Sequence, residues 1–448
     1  MARVRSFRAF RYASPSVDIT PLTAPPYDVV SEAKRAELLE RSAHNVVALE
    51  LPEGPLDSTL PNNRYATGAT RWEKWRREGV VVQDADAAIY VLEQRWRRGD
   101  AEARRVAFIA AVGLERFDDA VVLPHERTLP KALDDRLSLT RACAANFSPV
   151  FGLFSDPTPE TSEILEQTMS GRPLEYARGD DGVENRLWTL TDENAIRRLE
   201  GFFSGAQIFI ADGHHRYLTA LTYRDERRAA AVDRRGAVVD ATDDSGVIRS
   251  MRTLADEPPY DFVMMALANM DDPELVVLPT HRVADAAADF DSDQFWQGLT
   301  EHFEVGELPP GHPADALRPA EPISFIVQTR DGKRRLVRLR DDVDLDRAIP
   351  LAMSSAWKHL DVAVLQELVL SPLLDIHPDR PETLDRLTFV KDAHEALRME
   401  SAHDVVFVLR PTRMQQLRDV ALAGETMPQK STYFYPKLLS GLVMRSLA

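Results

Sequence analysis

At residues 208–221 the sequence IFIADGHHRYLTAL changes from the pattern of a strand to the pattern of a helix. The apolar run before Gly213 predicts a buried strand that ends in a turn. The helical stripe that follows has the spacing i, i+3, i+4 and i+7 and consists of His214, Tyr217, Leu218 and Leu221. A chain with this junction has to combine strands and helices.

The rest of the chain predicts the same combination of elements. Helices are expected over residues 31–42, where Ser31 can cap the first turn, and over residues 135–147 and 361–374. Strands are expected over residues 88–96, 104–114, 120–124 and 404–411. These patterns predict an α+β fold.

The charge and the cysteine content restrict the functions to consider. The chain has 55 Lys and Arg against 71 Asp and Glu, and its net charge of −16 repels nucleic-acid phosphates, so no nucleic acid partner is expected. Cys143 is the single cysteine, which excludes an intrachain disulfide and predicts a reducing, cytoplasmic setting. No secretory signal is expected, and no run reaches the ~18 apolar residues of a membrane span.

The junction at Asp212 carries the strongest chemical signal in the sequence. Gly213 lets a ligand approach the backbone, and the first turn of the helix offers unpaired N–H groups and a partial positive charge. Arg216 suits a phosphate or carboxylate, while Asp212 could hold a divalent metal, accept a hydroxyl proton or simply cap the helix. His215 and Arg216 lie off the apolar stripe, which favours a function. His214 lies on the stripe, where packing is the alternative to a phosphate contact.

A second strand end lies at residues 121–128, VVLPHERT. Glu126 could act as a general base or as a second metal ligand, and His125 and Thr128 could contact phosphate. A charged surface loop is the alternative interpretation, and the pattern of the zinc peptidases is missing. Two cations close behind in the sequence would strengthen an anion site, namely Lys131 and Arg136.

A third strand-like run, VVLPTHRV, ends at His281 and Arg282. If the three strands end side by side, their polar residues meet in one cleft, because ligands gather at strand ends in mixed folds. His281 and Arg282 would then contact the substrate, and a structural role is the alternative.

Two further segments are candidates for ligand contact. The segment KSTYFYPK offers Lys430 and Ser431 to an anion, although its alternating aromatic residues also fit a docked terminal strand. The segment APPYDVV predicts a rigid turn that presents Tyr27 and Asp28, whose role stays open.

Several common motifs are missing from the sequence. There is no P-loop, no G-x-G-x-x-G and no G-x-S-x-G, so the usual nucleotide folds and the nucleophile elbow find no support. Cys143 falls on an apolar helix face, which predicts an inert core thiol rather than a nucleophile.

Taken in order, eight segments resemble the DUF1015 family of bacterial and archaeal proteins: APPYDVV, LPHERT, DRLSL, NFSPV, IADGHHRY, NMDDPELVVLPTHRV, LDVAVLQ and MPQKSTYFYPKL. The likeness extends over nearly the whole chain. Within it, DGHHR at residues 212–216 is similar to a motif of the ParB/sulfiredoxin-like free serine kinases, which phosphorylate free L-serine with a nucleotide.

The resemblance implies a ParB/sulfiredoxin-like mixed-sheet core with large insertions over residues 1–230. It implies a C-terminal α/β portion over residues 258–448 that packs on this core. Residues 231–257 would form an exposed loop or linker.

The resemblance also implies phosphoryl transfer to a small hydroxy amino acid, serine above all, with ATP or ADP as the phosphate donor and Mg²⁺ as the cofactor. Asp212 and Glu126 would form the catalytic and metal-binding pair, and His215 and Arg216 would steady the phosphoryl group on Gly213. Two alternatives stay open. One is a phosphoserine phosphatase in which water replaces the nucleotide, and the other is a nucleotide-binding switch without turnover of serine.

Overall fold

The computed structural model describes residues 1–14, 16–126, 130–239, 257–287, 289–309, 311, 316–317, 322–399 and 403–448, of which residues 130–132, 232–239 and 381 are described by their backbone alone. The α-helices are α1 Glu32–Arg41, α2 Val47–Glu50, α3 Arg64–Arg77, α4 Pro130–Cys143, α5 Glu160–Thr168, α6 Glu193–Phe203, α7 His214–Val239, α8 Ser292–Leu299, α9 Leu345–Ala348, α10 Ser355–Lys358, α11 Asp361–Leu365, α12 Ser371–Leu374, α13 Pro381–Leu384, α14 Ala393–Arg398 and α15 Met414–Leu422. None of these helices is long and apolar enough to cross a membrane, as far as the described residues go.

The strands are β1 Val4–Arg5, β2 Phe10–Tyr12, β3 Val81–Gln83, β4 Ile89–Arg98, β5 Ala101–Gly113, β6 Val122–Leu123, β7 Ala145–Asn146, β8 Val150–Phe154, β9 Glu175–Arg178, β10 Glu184–Leu190, β11 Ile208–Asp212, β12 Phe262–Asn269, β13 Val276–Leu278, β14 His281–Ala284, β15 Phe303–Gly306, β16 Ser324–Thr329, β17 Arg334–Leu339, β18 Leu387–Val390, β19 Val405–Val408, β20 Tyr433–Tyr435 and β21 Arg445–Ser446. Helices and mixed sheets occur together, so the fold is α+β, as predicted.

The chain divides into two compact units that are not continuous in sequence. The first unit consists of Met1–Leu123, Thr128–Leu275 and Pro436–Ala448, and the second consists of Pro124–Arg127 and Val276–Tyr435. This division differs from the linear boundaries expected from the sequence, because residues 258–275 and 436–448 belong to the first unit.

The first unit is built on a mixed sheet with the strand order β6-β11-β8-β12-β5-β4-β10-β9, and β1 pairs with β5. Strand β12 is parallel to β8 and antiparallel to β5, so it joins the two halves of the sheet. One face of the sheet packs against helices from the segments between strands, where Phe203 of α6 contacts Phe108 and Phe154 at ring distances of 5.6 and 4.9 Å. A second core forms around Trp72 of α3 and includes Cys143.

Cys143 is a buried free thiol. Burial raises the pKa of this thiol to about 12, which suppresses the reactive thiolate. The expectation of an inert core thiol is met.

The second unit contains an antiparallel sheet with the order β15-β17-β16-β19-β14-β18 and a separate pair, β13 with β20. Its core forms where Ile326, Val406 and Val408 meet Ala396 and Leu397 of α14. The pairing of β20 confirms that the aromatic tail is docked, as the alternation of its side chains indicated.

Most local elements lie where the sequence predicts them. Helix α1 begins after Ser31, whose side chain accepts a hydrogen bond from the Lys34 amide. Helix α7, however, continues to Val239, so residues 231–239 are helical rather than part of a loop, in keeping with the high helix propensity of alanine and arginine. Residues 240–256 of the expected linker lie outside the described residues.

The helix predicted over residues 361–374 forms, with one irregular turn. Residues 366–370 adopt a π-helical turn between α11 and α12. Pro372 lies in the first turn of α12, and it lacks the N–H that a regular helix requires at that position. The wider turn accommodates the proline, so the helix does not end there.

Candidate functional site

Strand β11 delivers Asp212 to the edge of a turn, and helix α7 begins two residues later. The side chain of Asp212 is 24% exposed and contacts two cations. Lys437 Nζ donates to one carboxylate oxygen at 2.8 Å, and Arg216 Nη2 donates to the other at 2.9 Å. All three residues belong to the first unit.

The charges around Asp212 keep its carboxylate ionised. Burial by itself would raise the pKa of Asp212, but the positive charges of Lys437, Arg216 and His214 outweigh burial and hold the pKa well below its usual range. The carboxylate is therefore fully charged at neutral pH, with one cation on each oxygen.

Gly213 makes this arrangement possible. Its φ of +91° is in the region that favours glycine, and a Cβ there would lie 2.9 Å from the guanidinium nitrogens of Arg216. Arg216 also donates through Nη1 to the carbonyl of Pro149, while its buried Nε has no hydrogen-bond partner among the described residues. The guanidinium thus lies over the glycine at the N-terminus of α7.

The two histidines of the motif differ in exposure. His214 is buried and His215 is partly exposed. Both histidines lie in the first turn of helix α7, where the amide N–H groups and the helix dipole favour an anion. This placement agrees with the packing expected for His214, and the phosphate roles of both residues remain predictions.

Tyr27 and Arg136 lie near the same corner. The guanidinium of Arg136 stacks over the Tyr27 ring at 4.2 Å from its centre. Burial raises the pKa of Tyr27, and the charges of Arg216 and Arg136 oppose that rise, which places Tyr27 within electrostatic range of Arg216. Arg136 is itself buried and donates to Glu50 and Asp135, so its charge is already paired. Asp28 is exposed.

Besides Lys437, one further residue that the sequence did not single out, Arg105, belongs to the first-unit site. Arg105 is almost fully buried, and its guanidinium lies over the Phe151 ring at 4.6 Å. Arg105 Nε donates to Gln94 Oε1 at 3.0 Å, and Nη2 donates to the carbonyl of Pro436 at 2.6 Å. Burial lowers the pKa of Arg105 to about 9, although the negative charge of Asp212 opposes this change.

A second cluster of predicted residues lies in the second unit. His125 Nε2 is 2.9 Å from the Thr432 hydroxyl, and Glu126 Oε1 accepts from the Lys430 amide at 3.3 Å. Lys430 adopts a left-handed φ of +56°, and Ser431 is buried with its hydroxyl donating to the carbonyl of Pro428. The strand end at Glu126 and the segment at Lys430 therefore lie side by side, and the anion contacts expected of these residues stay predictions.

Arg282 and His281 are buried in this second unit. Arg282 donates to the backbone carbonyls of Thr280, Gln429 and Lys430, and burial lowers its pKa to about 10 against the opposing charge of Glu126. His281 Nδ1 accepts from the Leu409 amide, and burial lowers the pKa of its imidazole to about 4. These contacts connect Arg282 to the Glu126 segment.

The predicted residues thus form two groups. The first unit holds Asp212, Gly213, His214, His215, Arg216, Arg136, Tyr27 and Asp28, and the second holds His125, Glu126, His281, Arg282, Lys430 and Ser431. Thr128 lies outside the described residues, and the side chain of Lys131 is not described.

Lys437 was missed although a signal existed. It follows an apolar strand and a proline in YFYPK, just as His125 follows VVLP and Thr280 follows VVLP. Arg105 gave a weaker signal, since it is the arginine that directly precedes the continuous apolar run of β5. Both residues are far from Asp212 in the sequence, so their proximity to Asp212 could not be predicted.

A metal at Asp212 finds little room in this arrangement. Each carboxylate oxygen already accepts a hydrogen bond from a cation. Among the described residues there is no group of three or more His, Cys, Asp and Glu side chains placed to hold a metal ion. The expected binding of Mg²⁺ by Asp212 and Glu126 stays a prediction.

Comparison with protein families gives a match over residues 4–363 to the family described as "Protein of unknown function (DUF1015)". The curated proteins gave no significant match. Among solved structures, a free serine kinase variant with ADP is 12% identical, with 75% of this chain and 91% of that one covered and a TM-score of 0.35.

Two other solved structures give similar values. A free serine kinase variant with AMP is 11% identical, with 73% and 87% of the two chains covered and a TM-score of 0.34. A conserved hypothetical protein from Pyrococcus furiosus is 12% identical, with 74% and 92% covered and a TM-score of 0.34. TM-scores this low do not establish a common fold.

Proposed function

Because this chain belongs to the DUF1015 family, whose DGHHR segment resembles that of free serine kinases, we propose that it transfers a phosphoryl group from a nucleotide to a small hydroxy amino acid, serine above all. The observation that carries this proposal is the contact of Asp212 with both Lys437 and Arg216 at the N-terminus of α7. An ionised carboxylate, two cations and a helix N-terminus in one place are the groups that phosphoryl transfer uses.

The cations supply the anion-binding part of the proposal. Lys437 and Arg216 neutralise Asp212 when no ligand is bound, and an incoming phosphate would compete for the same two donors. Arg216 suits this exchange because its planar guanidinium can bind two phosphate oxygens at once. Gly213 has no side chain to obstruct the approach of the same phosphate to the N-terminus of α7.

Asp212 supplies the proton acceptor. As the serine hydroxyl oxygen forms its bond to the terminal phosphorus, the hydroxyl proton passes to the Asp212 carboxylate. The bond between that phosphorus and the leaving nucleotide oxygen breaks, and the leaving oxygen keeps the electron pair. Movement of Lys437 and Arg216 toward phosphate would raise the proton affinity of Asp212 at the moment when it must accept the proton.

Glu126 and the other residues of the second unit have a separate place in the proposal. We assign Glu126 the role of a second carboxylate on the resemblance alone, with the Lys430 amide as a hydrogen-bond donor and Arg282 as a nearby cation. Mg²⁺ is the cofactor that the resemblance implies, and when bound it would neutralise charge on the nucleotide phosphates.

Phosphorus NMR tests the proposal directly. The purified protein is incubated with L-serine and Mg²⁺ together with ATP, ADP or pyrophosphate, and the appearance of the O-phosphoserine signal is followed. Asp212→Asn is expected to reduce the rate on the order of 100-fold or more, because it removes both the charge and the proton acceptor. The exposed Asp86 gives the matched control, and Asp86→Asn is expected to retain the parent rate.

The other outcomes separate the alternatives. Release of phosphate from O-phosphoserine without any nucleotide would indicate the phosphatase, and binding of nucleotide without new phosphorus signals would indicate the switch. If Asp212→Asn transferred phosphate as fast as the parent, Asp212 would have no part in the mechanism.

A further inference from the structure

We propose that Arg105 and Gln94 are positioning residues, which hold the backbone of residues 436–437 so that Lys437 reaches Asp212. The inference rests on the proposed function only where it concerns catalysis. The contacts that carry it lie entirely within the first unit.

The two side chains bind consecutive carbonyl groups. Arg105 Nη2 donates to the carbonyl of Pro436 at 2.6 Å, and Gln94 Nε2 donates to the carbonyl of Lys437 at 3.1 Å. Gln94 and Arg105 face each other across β4 and β5 and are joined through Gln94 Oε1. The ring of Pro436 fixes the φ angle of that residue. Together with the two hydrogen-bonded carbonyls, this restricts the position of the Lys437 backbone from which the side chain extends toward Asp212.

The arrangement has an energetic cost that packing alone does not explain. Arg105 is buried without a carboxylate at hydrogen-bond distance, and its Nη1 has no partner among the described residues. A buried guanidinium in such surroundings is destabilising, whereas an apolar residue of similar size would fill the space without that penalty. An arginine at this position is explained when its function is to hold the chain at Pro436.

The same arginine also contacts the strand that supports Asp212. Its guanidinium lies over the ring of Phe151, and Phe151 is the β8 residue paired with Asp212 in the sheet. Gln94 is held in turn by Asn185, whose side-chain oxygen accepts from Gln94 Nε2 at 2.9 Å. The buried side chains of Arg105 and Gln94 thus contact the segment that carries Lys437, and Arg105 also contacts the strand that pairs with Asp212.

The reactivity of the Lys437 amine tests this inference without any assay of function. The full-length protein is treated briefly with acetic anhydride, and acetylation of each lysine is measured by mass spectrometry. In Arg105→Met, Lys437 is expected to react about threefold faster or more, because its amine leaves Asp212 more often. The matched control is Arg104→Met, which removes the neighbouring arginine on the other face of β5 and is expected to leave Lys437 unchanged.

Gln94→Glu provides a variant that keeps the buried arginine paired. The new carboxylate still accepts from Arg105 but repels the Lys437 carbonyl, so Lys437 acetylation is expected to rise here as well. Circular dichroism confirms that each variant is folded. If folded Arg105→Met and Gln94→Glu both acetylated Lys437 at the parent rate, the positioning role would be disproved.

Catalysis gives the second readout. If the proposed transfer occurs, both variants are expected to lower kcat on the order of tenfold with a smaller change in KM for serine, because Lys437 acts on the transferred group rather than on serine. Faster acetylation without any transfer activity in the parent protein would uphold the positioning role and overturn the proposed function alone.

Discussion

A single glycine determines whether Arg216 can reach Asp212. Alanine at position 213 has to adopt a φ near +91°, and its methyl group would meet the guanidinium of Arg216. The guanidinium is the far end of a long side chain, so it moves aside instead of the backbone. The substitution should therefore impair the site more than the fold.

We predict that Gly213→Ala lowers the free energy of unfolding by about 1 kcal/mol through its backbone conformation alone. Gly79→Ala should cost a similar amount, because Gly79 has a φ of +71° with nothing within 4 Å of its added Cβ. Urea unfolding measures both variants, and calorimetric titration with ADP measures binding. ADP should bind more weakly to Gly213→Ala alone, and equal weakening in both variants would contradict the role assigned to Arg216.

A buried carboxyl far from the site predicts a pH dependence. Glu175 contacts Arg11 at 2.8 Å, yet burial outweighs this partner and raises the pKa of Glu175 from 4.5 to about 7. The folded state then binds more protons than the unfolded state between these values. The contribution of Glu175 to the free energy of unfolding is therefore greatest at low pH. It decreases as the pH rises from 4.5 to 7, by about 3 kcal/mol at most.

Glu175→Gln is expected to reduce this loss of stability, because glutamine does not titrate. Urea unfolding of the parent and of the variant at several pH values between 4.5 and 7 gives the two slopes. The exposed Glu73 provides the control, and Glu73→Gln should keep the parent slope. A parent slope that Glu175→Gln leaves unchanged would show that burial does not raise this pKa.

At the scale of elements, the sequence predicted those strands, helices and caps that depend on interactions between residues close in sequence. The strand at 208–212 and the helix from His214 were predicted from the spacing of apolar residues. The Ser31 cap was predictable because it depends on one hydrogen bond within the first turn of α1. The helix over residues 361–374 was predicted, but its π-helical turn at residues 366–370 was not, because an apolar stripe indicates a helix without showing its irregular turns. Long-range packing decides such cases.

The candidate site shows the same limit. Asp212, Gly213 and Arg216 lie within five positions, so one junction revealed all three. Lys437 and Arg105 lie 225 and 107 positions from Asp212, and only the tertiary packing of the first unit brings them to it. Whether Glu126 joins Asp212 in catalysis stays a prediction.

At the scale of the whole molecule, the first unit depends on segments that are remote in sequence. Strand β12 pairs with β8 on one side and β5 on the other, although it follows the region expected to separate two domains. Residues 436–448 return to the same unit after the chain has formed the second one. Hydrophobic runs show that these segments are buried, but not against which partner.

The last segment therefore has a structural role that can be tested by removal. Its buried apolar side chains are Leu438, Leu439, Leu442, Val443, Met444 and Leu447. At roughly 1.5 kcal/mol each, burial of these side chains contributes about 9 kcal/mol. This is comparable to the whole stability of a typical domain, about 5–15 kcal/mol.

We predict that a chain ending at Tyr435 loses most of the cooperative unfolding transition seen in urea, whereas a chain ending at Leu447, which lacks only the exposed Ala448, keeps it. Tryptophan fluorescence is measured on chains in which Trp296 and Trp357 of the second unit are replaced by phenylalanine, so that the signal comes from the first unit, where Trp72 and Trp75 belong to the core that includes Met444. Loss of Lys437 alone, in Lys437→Met, should weaken ADP binding and leave the transition nearly unchanged, since one partly exposed ion pair contributes about 1 kcal/mol or less. A chain ending at Tyr435 that unfolds at the parent urea concentration would show that residues 436–448 act on the ligand site alone.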